Sequence, residues 1–281
     1  MEIVGECGEP YGAGGSFVFV RNVAYKVESG GSVGEIYNGG SAGNVAEKII
    51  VALDVDSAGE ACELVRELSP PLIYFKVGSR LFVACGPSII REIKELGARV
   101  FLDLKFHDIP NTVAEAAEVV TRYGVDMFNI HLSGGREMIK AAVNRVSATT
   151  EKLGLPRPLV LGVTVLSSMN EEMLQQEGAV SRPLDEHVVE LTRMGLECGL
   201  DGVVASPREA QLLRERCGRD FTIVTPGVRP TWAAQDDQQR ILTPKEALRK
   251  GASYLVIGRP IIRHPAPAQA VKQIIAEIDN T

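Results

Sequence analysis

The chain has 281 residues, 45% of them hydrophobic, and a formal net charge of −6 at pH 7. A chain of this length predicts one large or two ordinary globular domains with a full core. Lysine and arginine are dispersed, which weighs against a nucleic-acid partner, and the apolar runs fall far short of the roughly 20 residues that a membrane-spanning helix needs.

The cysteines and the first residues favour a cytoplasmic protein. The sequence MEIVGECGEP lacks the basic start and the apolar segment of a signal peptide. The five cysteines are an odd, scattered set without a Cys-x-x-Cys pair, which predicts reduced thiols rather than a disulfide framework or a zinc site. They are Cys7, Cys62, Cys85, Cys198 and Cys217.

Residues 1–46 differ in composition from the rest of the chain. Two glycine-rich stretches flank SFVFVRNVAYKV, which is the part that could form a strand or a hairpin. A glycine-rich phosphate loop is the functional alternative, but neither a Gly-Lys-Ser/Thr triplet nor a strand-to-helix context supports it. We therefore predict an N-terminal extension of uncertain structure over residues 1–46, followed by one domain over residues 47–281.

Eight short apolar, β-branched runs follow, and amphipathic segments with helical spacing lie between them. Near-continuously apolar strands are typical of a parallel sheet that is covered on both faces. Eight such βα units predict an α/β fold, a (β/α)8 TIM barrel with a glycine-rich N-terminal extension. A doubly wound sheet is less favoured, because no Gly-x-Gly-x-x-Gly follows the first strand. The runs are residues 49–54, 72–77, 99–104, 126–131, 159–165, 201–206, 221–227 and 254–258.

Charged residues end the first three runs, where a barrel carries its active site. Asp54 ends the first run, Lys76 lies near the end of the second, and Asp103 and Lys105 end the third. Residues two apart on a strand share a face, so we expect Asp103 and Lys105 to lie side by side, with Asp108 just beyond them. An ordinary ion pair at the barrel opening is the structural alternative.

Other polar residues near this opening also have structural interpretations. Asp108 or Asn111 could serve only as the N-cap of the helix that begins near PNTVAEAA. His107 and His131 lack His-x-x-x-His spacing, which favours packed or hydrogen-bonded histidines over metal ligands.

The last two runs end in TPGVRP and VIGRP, each followed by a helical segment. Loops after strands seven and eight of a barrel often bind phosphate with a helix N-terminus. Gly258 permits close backbone approach and Arg259 can bind phosphate oxygens bidentately, so we predict a phosphorylated ligand. The long polar segment VRPTWAAQDDQQRILTP is predicted to be a lid or a binding loop, with a floppy surface loop as the alternative.

Taken in order, these motifs resemble those of bacterial orotidine 5′-phosphate decarboxylases. The resemblance covers about residues 47–281 and includes VALDVDSAGEA, YFKVG, HLSGG, GVTVLSSM, DDQQR and YLVIGRPI, with DLKFHDIPNTV as the most specific motif. It implies a (β/α)8 barrel that converts orotidine 5′-monophosphate to uridine 5′-monophosphate and CO2, a step of pyrimidine biosynthesis, without a cofactor or a metal ion.

The resemblance also implies roles for individual residues. The catalytic tetrad would be Lys76, Asp103, Lys105 and Asp108. Asp108, Ile109 and Thr112 would reach into the site of the neighbouring subunit, which makes a homodimer the functional unit. The remaining contacts would be Asp54 and Lys76 to the ribose, Ser167 to the pyrimidine, with Thr164 and Ser168 as alternatives, and Arg229, Gln238, Gly258 and Arg259 to the phosphate.

The charges suit this chemistry. Loss of CO2 from C6 of the pyrimidine leaves a carbanion without an adjacent carbonyl group, so its stabilisation must be electrostatic. Two flanking aspartates favour the cationic form of Lys105, which can stabilise the carbanion and then protonate it.

Two other functions remain open from the residues. A Mg²⁺-dependent sugar-phosphate decarboxylase or aldolase on a related barrel can share Asp-x-Lys-x-x-Asp, but the ammonium group of Lys76 would repel the ion. A non-catalytic barrel that binds a phosphorylated ligand would have no use for a proton donor.

Overall fold

The computed structural model describes residues 16–20, 23–27, 33–35, 45–233 and 242–279. The chain divides into two compact units, Met1–Asn44 and Val45–Thr281. In the first unit, β1 (Ser16–Val20), β2 (Val23–Val27) and β3 (Val33–Glu35) form an antiparallel sheet in that order. β1 and β2 pair within SFVFVRNVAYKV, the stretch that could form a strand or a hairpin. The domain boundary after residue 46 stays a prediction.

The second unit is a closed barrel of eight parallel strands, which confirms the predicted (β/α)8 TIM barrel. Each strand overlaps one of the eight predicted runs, and the last strand pairs with the first to close the barrel. The strands are β4 (Ile49–Ala52), β5 (Tyr74–Gly78), β6 (Arg99–Phe106), β7 (Met127–His131), β8 (Leu159–Val163), β9 (Gly202–Val204), β10 (Thr222–Thr225) and β11 (Tyr254–Ile257).

Helices follow the strands and cover the outside of the barrel. In the described ranges, no helix combines the length and the apolar character needed to cross a membrane. Short 3₁₀ helices span Val45–Lys48 and Leu132–Gly134. The α-helices are α1 (Ala58–Leu68), α2 (Ser79–Cys85), α3 (Ser88–Glu95), α4 (Pro110–Arg122), α5 (Gly135–Leu153), α6 (Glu171–Gln176), α7 (Leu184–Glu197), α8 (Glu209–Cys217), α9 (Pro244–Arg249), α10 (Arg259–Ile262) and α11 (Pro267–Asp279).

The core has two layers that follow from the two-residue alternation of a strand. Phe75 and Phe128 belong to the cluster between the barrel and its helices, whereas Phe101 belongs to the cluster inside the barrel. Each of these rings is fully buried and stabilises the fold by roughly 1.5–3 kcal/mol.

The inward-facing positions change from apolar to polar toward the C-terminal ends of the strands. In three neighbouring strands, the residue two positions after an inward-facing apolar side chain is charged or carries an amide. These pairs are Tyr74 and Lys76 in β5, Phe101 and Asp103 in β6, and Met127 and Asn129 in β7. The alternation that fills the barrel therefore also delivers the polar side chains to one end of it.

Gly202 lets β9 approach β10 closely, which predicts a large effect of a single methyl group. A Cβ atom at Gly202 would lie 2.0 Å from the backbone oxygen of Thr222. We expect Gly202→Ala to lower the free energy of unfolding by roughly 1–3 kcal/mol, because the backbone cannot yield without breaking the ladder. Urea unfolding followed by circular dichroism measures this change.

Gly59→Ala is the matched control, since it adds the same methyl group in helix α1, where nothing lies within 4 Å. This variant should be stabilised by up to about 1 kcal/mol through helix propensity. Equal stability of the two variants would contradict the close approach of β9 to β10.

We further predict that residues 1–43 are dispensable. The compact barrel unit begins at Val45, and Ala46 already packs into its core with 1% of its surface exposed. A truncated chain that begins at Asn44 should therefore keep the thermal midpoint of the barrel. Loss of cooperative unfolding in the truncated chain would contradict this division.

Candidate active site

Four charged side chains alternate in sign at the C-terminal end of the barrel. Lys76 Nζ lies 3.4 Å from Asp54 Oδ1 and 3.4 Å from Asp103 Oδ2. Lys105 Nζ donates a hydrogen bond of 2.6 Å to Asp103 Oδ1. The structure thus brings together four of the predicted site residues, from the ends of β4, β5 and β6.

Gly78 leaves room for the buried ammonium group of this network. A Cβ atom at Gly78 would lie 2.9 Å from Lys76 Nζ and 3.6 Å from Asp54 Oδ1. Any larger residue at this position would displace the tip of the Lys76 side chain, so the glycine sets where its charge sits.

Strand β6 is irregular where it carries Lys105. Leu102 pairs with Phe128 and Phe106 pairs with Ile130, so β6 advances by four residues while β7 advances by two. Lys105 has a φ of 53°, in the left-handed region that non-glycine residues rarely adopt. The predicted proximity of Asp103 and Lys105 is confirmed, but a β-bulge produces it rather than the alternation of a regular strand.

Asn129 completes the network, and the sequence analysis missed it. Its side chain is fully buried. Its Nδ2 donates a hydrogen bond of 2.7 Å to Asp103 Oδ1, and its Oδ1 accepts one of 2.8 Å from the backbone N–H of Lys105. The signal was present in the sequence, since Asn129 lies two residues after the inward-facing Met127 of a buried strand.

The lysines keep Asp103 ionised. Burial by itself would raise the pKa of Asp103, but the charges of Lys76 and Lys105 outweigh it, together with hydrogen bonds from Lys105 and Asn129. The pKa of Asp103 is therefore lowered from its ordinary value. At neutral pH, Asp103 is an anion held between two cations.

The two histidines near the opening pack on each other. The ring centroids of His107 and His131 are 5.3 Å apart, with the ring planes tilted by 37°. Burial, then the nearby His107 and Lys105, lower the pKa of His131, so its ring is neutral at pH 7. No group of three or more His, Cys, Asp or Glu side chains suited to a metal ion occurs in the described part of the chain.

Asp108, Ile109 and Thr112 are exposed at the start of α4. Asp108 Oδ1 accepts a hydrogen bond of 2.6 Å from the backbone N–H of Ile109, and among the described residues it forms no ion pair with Lys105. The side chain of Ile109 is 67% exposed. Interpreting Asp108 or Asn111 as a helix cap is wrong, because Ile109 is the N-cap residue and no side chain caps α4.

The three candidates for a pyrimidine contact follow β8 and differ in their availability. Thr164 is buried, and its hydroxyl group donates a hydrogen bond of 3.2 Å to the backbone oxygen of Val204. Ser167 and Ser168 are exposed in the loop before α6. The geometry leaves the two serines accessible to a ligand, and the choice of Ser167 stays a prediction.

Three of the four predicted phosphate contacts lie shortly after β10 and β11. Arg229 and Arg259 both line a cavity of about 270 Å³. Gly258 precedes α10, and a Cβ atom there would lie 3.5 Å from Asp54 Oδ2, so this corner adjoins the charged network. Gln238 lies outside the described residues.

The base of the predicted lid is tied to the barrel. Val228 and Leu242 form an isolated β-bridge, and the N–H of Arg229 donates a hydrogen bond of 3.0 Å to the oxygen of Leu242. Thr231 donates from its N–H and its hydroxyl group to Glu277 of α11, at 3.2 and 3.3 Å. Residues 234–241, the middle of the predicted lid, lie outside the described ranges. Closure of this segment stays a prediction.

Three comparisons identify proteins similar to this chain. The model of the orotidine 5′-phosphate decarboxylase / HUMPS family matches residues 47–274. The orotidine 5′-phosphate decarboxylase of Syntrophomonas wolfei is 51% identical over 235 residues, which cover 83% of this chain and 98% of that protein. That of Moorella thermoacetica is 52% identical over 233 residues, covering 83% of this chain and 92% of that protein.

A solved structure agrees with the sequence comparisons. The crystal structure of orotidine 5′-phosphate decarboxylase from Lactobacillus acidophilus superimposes with a TM-score of 0.73 at 37% sequence identity, over 83% of this chain and 99% of that one. The family match spans the whole barrel and includes every strand end that contributes to the charged network. This chain therefore belongs to the orotidine 5′-phosphate decarboxylase / HUMPS family.

Proposed function

We propose that this chain converts orotidine 5′-monophosphate to uridine 5′-monophosphate and CO2, a step of de novo pyrimidine biosynthesis. The observation that carries the proposal is the alternating series Lys76, Asp103 and Lys105, which lies at the end of the barrel where such enzymes act. Relatives named for this activity are about half identical to this chain; one of them is 51% identical over 83% of the chain.

Lys105 supplies the stabilising charge and the proton. When the C6–CO2 bond breaks, its electron pair stays on C6, and the ring offers no carbonyl group that could delocalise it. An ammonium group fixed beside C6 attracts this charge in a site of low dielectric constant, where the attraction is stronger than in water. Lys105 then transfers a proton to C6, which completes the product.

Asp103 holds the ammonium group of Lys105 in place. The 2.6 Å contact fixes the ammonium group before the substrate arrives, so little reorganisation is needed during the reaction. In our proposal, Asp103 also repels the departing carboxylate group. We assign this repulsion a secondary role, because Lys76 and Lys105 neutralise most of the charge on Asp103.

Binding of the remote parts of the substrate must also contribute. Enzymes lower reaction barriers by roughly 8–23 kcal/mol, which is more than one ion pair provides. In our proposal the phosphate is held by Arg229, Gln238, Gly258 and Arg259. This binding closes the loop after β10 over the site. Asp54 and Lys76 bind the ribose hydroxyl groups, and Ser167 binds the pyrimidine.

We propose that the functional unit is a homodimer in which Asp108, Ile109 and Thr112 complete the site of the neighbouring subunit. Their exposure supports this role, since it leaves their side chains available to a neighbouring subunit, with Ile109 67% exposed. Asp108 from the partner would place a second carboxylate beside Lys105 and favour its cationic form.

We also propose a cytoplasmic location. Four of the cysteines lie in the described part of the chain, and all four are free thiols, as a reducing compartment maintains them.

A Mg²⁺-dependent reaction on the same barrel fits the charges less well. Lys76 lies 3.4 Å from both Asp54 and Asp103, so its ammonium group occupies the space between the two carboxylates that a divalent cation would use. The network therefore suits a carbanion that a cationic side chain stabilises.

The first test measures turnover of orotidine 5′-monophosphate in excess EDTA, by the change in ultraviolet absorbance. The wild-type protein should turn over, whereas Lys105→Ala should lose about 10³-fold or more in kcat, because it lacks both the charge and the proton. Binding of uridine 5′-monophosphate to this variant should remain measurable. A requirement for Mg²⁺, or binding without turnover, would overturn the proposal.

The shared site can be tested by mixing inactive variants. Asp108→Asn and Lys76→Ala should each be inactive alone, but their hybrid dimer contains one intact site. Random subunit exchange should then restore about one quarter of the wild-type activity. Lys76→Ala mixed with Asp103→Asn is the matched control: both changes affect residues of the same subunit's site, so no activity should return. Equal behaviour of the two mixtures after demonstrated exchange would count against the shared site.

A further inference from the structure

We propose that Asn129 is a positioning residue for the decarboxylation, because its amide group holds the carboxylate of Asp103 and the backbone of Lys105 in the arrangement that aims the ammonium group at C6. This inference rests on the proposed function. It adds a residue of β7 to a site otherwise formed by charged residues of β4, β5 and β6.

The amide group binds two residues with its two ends. Nδ2 donates to Asp103 Oδ1 at 2.7 Å, and Oδ1 accepts from the backbone N–H of Lys105 at 2.8 Å. A carboxylate can only accept and a backbone N–H can only donate, so these neighbours fix the orientation of the amide. Asp103 Oδ1 also receives the ammonium group of Lys105 at 2.6 Å, which makes one carboxylate oxygen the meeting point of both groups.

The bulge in β6 explains why an amide is needed here. β6 has two more residues than β7 over this stretch, which interrupts the ladder of backbone hydrogen bonds between the two strands. A buried backbone N–H group left without a partner is costly. The side chain of Asn129 supplies the acceptor that the backbone of β7 does not. It thereby supports the left-handed conformation of Lys105, at a φ of 53°. Without this acceptor, a shift of register would turn Lys105 away from the site.

An isosteric substitution separates positioning from simple packing. In Asn129→Asp, the ionised carboxyl group still accepts from Lys105 N–H but repels Asp103. Once protonated, the new group can donate to Asp103 and restores the original pattern. The charged and titratable groups around this position are Asp103 and Lys105 of β6, Lys76 of β5 and His131 of β7. The wild type contains the same four groups, so their titration affects both proteins. The pH dependence of the ratio of variant to wild-type kcat therefore reports the titration of the new carboxyl group alone.

The experiment measures kcat, KM and uridine 5′-monophosphate affinity of the full chain across pH. Asn129→Ala should lower kcat by about 100-fold, because Lys105 loses its alignment, while nucleotide affinity changes little. For Asn129→Asp, kcat relative to wild type should be low at neutral pH and rise as pH falls. Thr192→Ala is the control: it removes a fully buried hydroxyl group that bonds only within α7, and it should keep the wild-type kcat.

The outcomes distinguish this inference from the proposed function. Wild-type kcat in Asn129→Ala would overturn the inference, as would a pH-independent ratio for Asn129→Asp. If Asn129→Ala does not fold, the isosteric variant decides alone. If the wild-type protein shows no turnover, the proposed function fails, and crystal structures of the wild type and Asn129→Ala decide the inference instead. An unchanged Lys105 conformation and Nζ to Asp103 Oδ1 distance in the variant would then overturn it.

Discussion

The site depends on the compensation of one anion, Asp103, whose side chain is only 14% exposed. An ionised carboxylate is costly to remove from water unless it is paired and hydrogen-bonded, and Asp103 is both. It receives the ammonium group of Lys105 and the amide of Asn129 on one oxygen and faces Lys76 with the other. Removing any one partner leaves the charge of Asp103 less fully compensated, so Asp103 restrains the position of each of them.

The barrel supplies these partners through its regular geometry. Parallel strands bring their C-terminal ends to one rim, and two-residue alternation places every second side chain inside. Lys76 and Asp103 occupy the inward positions directly above apolar residues of the barrel interior. The charged residues are therefore supported from below by a packed core, which is a rigid base for groups whose separation decides their effect.

The strands and the convergence of charges could be predicted because both rest on local patterns. Apolar runs marked all eight strands, and their last residues marked Asp54, Lys76 and Asp103. The bulge could not be predicted, because two extra residues in a strand do not alter its hydrophobicity, and only pairing with β7 reveals them. Asn129 was missed for a related reason. Its amide is uncharged, so it does not stand out in an apolar run as an aspartate or a lysine does, and its partners lie 24 and 26 residues away in sequence.

The order of charges decides which group can meet a ligand. Lys76 and Asp103 are 10% and 14% exposed at their side chains, so the interior of the network is closed and self-neutralising. Lys105, at the end of the network, is 36% exposed. The charge of Lys76 is thus balanced by Asp54 and Asp103 within the network. Lys105 is the more exposed of the two lysines and the one that a ligand can contact more readily. Because Asp103 is shared with Lys76, it restrains Lys105 without fully cancelling its charge. In the proposed mechanism, this fixed positive charge is the one that stabilises the carbanion.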